Sequence, residues 1–217
     1  MADEDNLVSN SVSNLVYLLD GKIYINLTNK CTNECIFCIR TLKDDVCGVN
    51  LWLKDENISA EDVIKDLKKL KKDENEIIFC GYGEPTLKLE ILKKVAKFIK
   101  ENYQGVKVRL NTNGHANFIY KRNILPELKG LIDEISVSLN APTEESYKEL
   151  TQPILICDNV LEQVKDFIKK SVEAGIPTVA SVVSGYKNYD IDLEKCENIV
   201  TDLGAKFRVR EWLDSGY

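Results

Sequence analysis

Glycine and proline are scarce in this chain, 11 and 5 among 217 residues, and no stretch approaches the roughly 18 consecutive apolar residues of a membrane span. With 44% hydrophobic and 29% charged residues, these shortages exclude collagen, low-complexity sequence and wholesale disorder. The first 13 residues are acidic and polar and lack the basic-then-apolar pattern of a signal peptide. A cytoplasmic protein with no membrane partner is expected. Basic residues are in deficit, 29 against 35 acids for a net charge of −6, which argues against a broad nucleic-acid grip. Histidine is all but missing: His115, after Asn113-Gly114, is the only one, and it reads as an exposed turn residue rather than a base. Cysteine is the exception. Seven in a cytoplasmic chain, an odd number, point to metal or redox chemistry rather than to a disulfide framework.

Residues 1–13, rich in Asn, Ser and Asp, are expected to form a flexible tail, with one domain over 14–217. Asp20-Gly21 between the extended runs 15–19 and 22–28 signals an N-terminal β-hairpin. Helix-like and strand-like stretches then alternate. Helices are predicted at 60–72, 89–102, 116–128, 144–150, 159–174 and 193–203, and strands at 76–80, 106–111, 134–139, 178–183 and 206–210. With 23–28 counted first, that makes six strands joined by helical crossovers, hence a parallel sheet. Strands buried on both faces read as continuous apolar runs, but these alternate: Val106, Val108 and Leu110 against Lys107, Arg109 and Asn111, and Ile135, Val137 and Leu139 against Ser136, Ser138 and Asn140. One face is apolar and one polar, so the fold class is α/β, a partial (βα)6 TIM-like barrel whose interior is wet and holds a ligand. Residues 178–183 are ambiguous on this test.

Cys31, Cys35 and Cys38 form C-x3-C-x2-C immediately after the first parallel strand. Three thiolates on one loop suit three irons of a [4Fe–4S] cluster with the fourth iron open to a ligand. A closed zinc site with Cys47 as fourth ligand suits the same residues. The octapeptide Cys31-Thr32-Asn33-Glu34-Cys35-Ile36-Phe37-Cys38, with an aromatic before its last cysteine, resembles the signature loop of the radical S-adenosylmethionine (radical SAM) superfamily. Downstream, Gly81-Tyr82-Gly83-Glu84-Pro85 is similar to that family's Gly-Gly-Glu motif and departs from it by Tyr82. Within the superfamily, the stretch from Tyr24 through Cys31 and the Cys-Ile-Arg of 38–40 are similar to the TatD-associated radical SAM group.

The resemblance implies a partial six-stranded barrel over 23–210, a cluster on the three cysteines, S-adenosyl-L-methionine (SAM) as second cofactor, and a reducing electron donor of flavodoxin or ferredoxin type. It implies that Glu84 takes a hydrogen bond from the SAM ammonium, that Gly81 and Gly83 let the backbone approach the ligand, and that Ser138 and Asn140 meet its ribose or carboxylate. Asn111 and Asn113 resemble a turn in the family's activating enzymes, and Phe37 is placed to shield the cluster and flank adenine. At these positions a tight turn, strand-end capping and core packing are the alternative readings.

Arg109, Arg208 and Arg210 fall on the polar face, where they suit an anionic substrate group or the SAM carboxylate; pairing with Glu76 or Glu211 is the alternative. Cys80, before the glycine motif, reads either as a hydrogen-atom donor or as a small buried hydrophobe. Cys157 and Cys196 read as core. The expected function is reductive cleavage of SAM to a 5′-deoxyadenosyl radical that abstracts hydrogen from a small polar or anionic substrate. The alternatives are a glycyl-radical-activase-like enzyme acting on a protein, and a non-catalytic iron–sulfur or zinc protein. The chain length leaves little for a lid, so the substrate, a partner or the loops themselves are expected to cover the radical.

Overall fold

A computed structural model describes residues 13–43, 45–46, 48–70, 74–155, 158–187 and 189–212; residues 1–12 of the expected tail, Cys47 and Cys157 lie outside them. The chain opens with β1 (Val16–Leu19) and β2 (Lys22–Ile25), then α1 (Ile39–Leu42), β3 (Asp45–Val46), β4 (Val49–Asn50), α2 (Ala60–Leu67) and β5 (Glu76–Phe79). A 3₁₀ turn, Pro85–Lys88, leads into α3 (Leu89–Asn102), β6 (Lys107–Thr112), α4 (Ala116–Tyr120), α5 (Leu125–Leu128) and β7 (Glu134–Ser138). The rest is α6 (Glu144–Thr151), α7 (Val160–Glu173), β8 (Thr178–Ser184), α8 (Leu193–Asp202) and β9 (Lys206–Glu211).

Seven strands form one sheet in the order β1-β2-β5-β6-β7-β8-β9. Only β1 runs antiparallel, and the six strands from β2 to β9 are all parallel, the partial (βα)6 barrel with an N-terminal hairpin. Asp20 and Gly21, at φ 48° and 67°, make the two-residue turn that the right-handed twist of a hairpin favours. The apolar face of the strands packs outward on the helices: Ile77, Val108, Leu110, Ile135, Val137, Ala180 and Val182 are all fully buried with Leu92, Val95, Val164, Phe167 and Val200 of the crossover helices. Each Val, Leu or Ile side chain among them contributes about 2 kcal/mol by leaving water. In β8, Ala180 and Val182 join this core, which turns Ser181 toward the interior. Helix ends use local caps, as where Ser59 and Asp62 close a reciprocal capping box on α2.

The fold corrects two expectations. The helix expected over 116–128 is broken into α4 and α5: Lys121 takes a left-handed φ of 52°, Asn117 Oδ1 accepts the Ile124 N–H at 2.9 Å, and Pro126 sits where a new helix can start. Apolar spacing shared by both pieces concealed the break. Residues 39–50 also fold into α1 and a two-stranded hairpin, β3 with β4, that the alternation of longer elements did not announce. This hairpin builds a second small core, in which Val46, Val49 and Leu51 pack with Tyr17 and Tyr82.

Candidate active site at the C-terminal rim of the barrel

The cysteine loop starts where β2 ends and is tied down from three sides. Glu34 and Ile36 donate backbone N–H groups to Thr151 and Leu150 at the end of α6, Ile154 N–H donates to Thr32, and Glu84 N–H donates to the Lys30 carbonyl at 2.8 Å. Arg40 spans the loop from within, its guanidinium donating to the Asn29 and Asn33 carbonyls at 3.0 Å each. In the sequence its only signal is position, two residues past Cys38. All three thiols are free. Burial pushes Cys31 up to about 11 and Cys35 up to about 12 and raises Cys38 as well, while the charge of Arg40 opposes the shift at each. A metal bound here therefore displaces three protons.

Cys31 and Cys35 line a cavity of 180 Å³ together with the C-terminal ends of β5, β6, β7 and β8. Phe37 is on its wall, as are Gly83, Glu84, Asn111, Asn113, Ser138 and Asn140. Cys38 lines the adjoining 260 Å³ cavity with Phe37, Gly81 and Trp212. Among the described residues no three of His, Cys, Asp or Glu converge on a single metal ion. A cluster takes one thiolate per iron, whereas a closed zinc site gathers all its ligands on one ion; Cys47, the expected fourth zinc ligand, lies outside the described residues.

The glycines leave no room for a side chain. A Cβ on Gly83 would stand 2.2 Å from the Thr28 carbonyl oxygen and 2.5 Å from that of Lys30, and one on Gly81 would stand 2.1 Å from Asn26 Oδ1. Glu84, only 3% exposed, is a hub. Its Oε1 accepts from Thr86 N–H, Thr86 Oγ1 and Thr112 Oγ1 at 3.1, 2.6 and 2.7 Å, and its Oε2 accepts from Asn113 N–H at 2.7 Å. Burial raises its pKa against those donors. Each carboxylate oxygen offers about two acceptor positions, so Oε2, which meets one donor, keeps one for a ligand. Asn113 is committed within the protein: its amide donates to Thr32 Oγ1 at 2.8 Å and to Cys31 Sγ at 3.7 Å. Asn140 is different. It is 2% exposed in a left-handed conformation, φ 60°, and its Oδ1 is buried on the cavity wall without a partner, as is that of Asn111. Orphaned acceptors cost free energy unless a ligand or water donates to them.

His115 corrects the reading of an exposed turn. It is fully buried, its Nδ1 2.9 Å from Thr32 Oγ1 and its Nε2 2.9 Å from Tyr147 Oη, and burial lowers its pKa to about 4. Partners 83 and 32 residues away leave no local trace in the sequence. Cys196 is buried, as expected for core.

Below the rim, Arg109, Arg208 and Arg210 line a 280 Å³ cavity in the barrel interior. The alternative pairing is realised for Arg109, whose Nε lies 3.5 Å from Glu76 Oε1, and Arg208 donates to Ser136 Oγ at 2.9 Å. Cys80, like Arg210, lines this cavity and both rim cavities, and burial raises its pKa.

The chain is similar to an uncharacterised protein of Methanocaldococcus jannaschii, 36% identical over 128 residues, 58% of this chain and 37% of that one. It is also similar to a probable GTP 3′,8-cyclase of Saccharolobus islandicus, 30% identical over 156 residues, 71% of this chain and 44% of that one. It thus spans less than half the length of these two relatives. Among solved structures, Streptococcus suis SuiB bound to its precursor peptide SuiA superposes with a TM-score of 0.65 at 17% identity, over 93% of this chain and 41% of SuiB, a likeness of fold alone. The likeness to the TatD-associated group stays one of sequence motifs. The model of the Radical SAM superfamily matches residues 25–202, from the end of β2 to the end of α8, and so takes in the cysteine loop, the glycine motif and four of the six parallel strands, β5 to β8. The chain belongs to the radical SAM superfamily.

Proposed function

We propose that residues 14–217 form the catalytic domain of an enzyme that reductively cleaves SAM and uses the resulting radical to abstract hydrogen from a small polar or anionic substrate. Members of this superfamily work with a [4Fe–4S] cluster and SAM. The observation that carries the reading is that one cavity is walled by Cys31 and Cys35, by the carboxylate of Glu84 and by the unpartnered Oδ1 atoms of Asn111 and Asn140.

When bound, the cluster supplies an electron to the sulfonium of SAM, which parts into methionine and a 5′-deoxyadenosyl radical. This chain's own residues do the rest. Cys31, Cys35 and Cys38 each give a thiolate, and Arg40 holds their loop in shape. Oε2 of Glu84 accepts from the SAM ammonium, Gly81 and Gly83 keep the backbone close to it, and Asn140 and Ser138 accept from ribose hydroxyls. Asn111 faces both the rim and the interior and orients what meets there. Asn113 holds the cysteine loop in place from β6, and Phe37 keeps water from the radical. An electron donor of flavodoxin or ferredoxin type is expected to reach the exposed side of the cysteine loop.

The 280 Å³ interior favours a small molecule over a polypeptide. The peptide bound to SuiB keeps a polypeptide substrate as the second reading. Anaerobic reconstitution followed by dithionite and SAM tests the proposal: 5′-deoxyadenosine is expected from wild type and none above background from Cys38→Ala. A fully loaded wild-type cluster that yields no 5′-deoxyadenosine, or tight zinc with no iron uptake, overturns it.

A further inference from the structure

Asn113 follows β6 directly and is buried 82 residues along the chain from the cysteine it meets. Its backbone N–H is pinned on Glu84 Oε2 at 2.7 Å, and its side-chain amide has a fixed orientation. Oδ1 accepts the His115 N–H at 3.1 Å, which turns Nδ2 the other way, where it donates to Thr32 Oγ1 at 2.8 Å and to Cys31 Sγ at 3.7 Å. Reversed, the amide would set its oxygen against the sulfur and its NH2 against the His115 N–H, two repulsive pairings. Thr32 Oγ1 is held in turn, 2.9 Å from His115 Nδ1, and Nε2 of that ring lies 2.9 Å from Tyr147 Oη. Cys31 Sγ accepts a second bond, from the Asn33 N–H at 3.5 Å. Tying the loop to β6 needs only the bond to Thr32. The bond to sulfur acts on charge.

A thiolate that ligates iron shares its negative charge with the cluster, and a hydrogen bond to its sulfur favours the reduced, more negative state; such bonds are among the factors that set cluster potentials. We infer that Asn113 is a positioning residue that raises the reduction potential of the cluster on Cys31, Cys35 and Cys38, its side-chain amide donating to Cys31 Sγ and held in that orientation by Thr32 and the His115 N–H. The electron donor then loads the cluster more readily, and less driving force is left for transfer to SAM. Because the backbone N–H of the same residue holds Glu84, the end of β6 fixes both the donor on the cluster and the acceptor offered to SAM. The inference rests on the proposed function for the identity of the bound group, and it is read from the potential rather than from turnover.

The anaerobically reconstituted chain is titrated with dithionite in the absence of SAM, and the reduced cluster is followed by electron paramagnetic resonance. Asn113→Leu, which keeps the branched shape but has no donor, is expected to make the cluster about tenfold harder to reduce, about 59 mV for one electron. Thr32→Val is expected to shift the potential the same way by less, because the amide loses its hold, and Thr32→Ser, which keeps the hydroxyl, to restore the wild-type value. A merely structural tie would lower iron uptake in these variants without moving the potential of the clusters that form. Wild type supplies a readout that no substitution can spoil: with asparagine side-chain amides labelled in heavy nitrogen, pulsed magnetic resonance of the reduced cluster is expected to show one of them coupled to it. A wild-type cluster without that coupling, or an Asn113→Leu cluster at the wild-type potential, overturns the assignment. Either result, alongside 5′-deoxyadenosine from wild type, leaves the proposed function standing; a shifted potential in a chain that makes no 5′-deoxyadenosine does the reverse. Tight zinc in place of iron overturns both.

Discussion

Gly83 shows how little latitude the rim has, because the atoms that crowd its missing Cβ are backbone oxygens of Thr28 and Lys30 and cannot rotate away. Gly83→Ala must push the cysteine loop outward. Overpacking of this kind costs about 1–3 kcal/mol, and the variant is expected to lose that much stability by urea denaturation and to take up less iron on reconstitution. Glu84 tests a different term. In Glu84→Gln the amide cannot accept on both of its heavy atoms, so either Asn113 N–H or the cluster of Thr86 and Thr112 donors loses its acceptor. A buried donor left unmet costs about 1–3 kcal/mol, so destabilisation of the metal-free protein is expected alongside any loss of SAM binding. Equal stability of Glu84→Gln and wild type would remove the hub role described above. Gly81, Gly83 and Glu84 were legible as a motif. That Glu84 also bonds Thr112 and Asn113 was not, since nothing local in a sequence reports a partner nearly thirty residues on.

The hairpin of β3 and β4 is the element with the least support of its own, two residues per strand, and a lone two-stranded hairpin is marginal in water. It is held by Tyr82, the residue by which this chain departs from Gly-Gly-Glu. The Tyr82 ring packs with Val46, Val49 and Leu51 and meets Trp52 edge-on at 5.1 Å, and its hydroxyl donates to the Lys43 carbonyl at 2.8 Å. Tyr82→Ala is expected to expose residues 43–51 to hydrogen exchange and limited proteolysis while β6, β7 and β8 keep their protection, because this small core is separate from the main one. Loss of protection throughout the sheet would show that the two cores are one cooperative unit. The long elements were legible because their periods are strong: α3 was expected over the residues it occupies, and β5 to β9 each fall within a residue or so of expectation. The short ones have no period to read, and the α4–α5 break depends on the left-handed turn at Lys121, on Pro126 and on one side-chain bond, in which Asn117 Oδ1 accepts from Ile124 N–H.

At the scale of the molecule, the buried triad of Thr32, His115 and Tyr147 joins the cysteine loop, the end of β6 and α6. The Tyr147 phenol, hydrogen-bonded to His115, is itself held neutral by burial. His115 stays neutral in the folded chain down to about pH 4, whereas in the unfolded chain it titrates near 6.5. The unfolded state therefore binds the extra proton between those values, and stability rises with pH through that window and levels off above it. The loss on going from pH 7.5 to pH 4 is of order 3 kcal/mol from this residue. Denaturation of the metal-free protein at a series of pH values should show it, and His115→Gln should flatten that part of the profile; an unchanged slope in the variant would place the pH dependence elsewhere. The succession of strands and helices along the chain, the polarity of the two sheet faces and the three cysteines were determined by the sequence alone, because periodicity and motif spacing are properties of neighbours along a chain. Tertiary structure decided that His115 is core, that Asn113 serves the cysteine loop, that Asn140 is left with an unmet acceptor, and that arginines from β6 and β9 share a cavity with a tyrosine from β2. Each of these joins residues that only the curl of the sheet brings together.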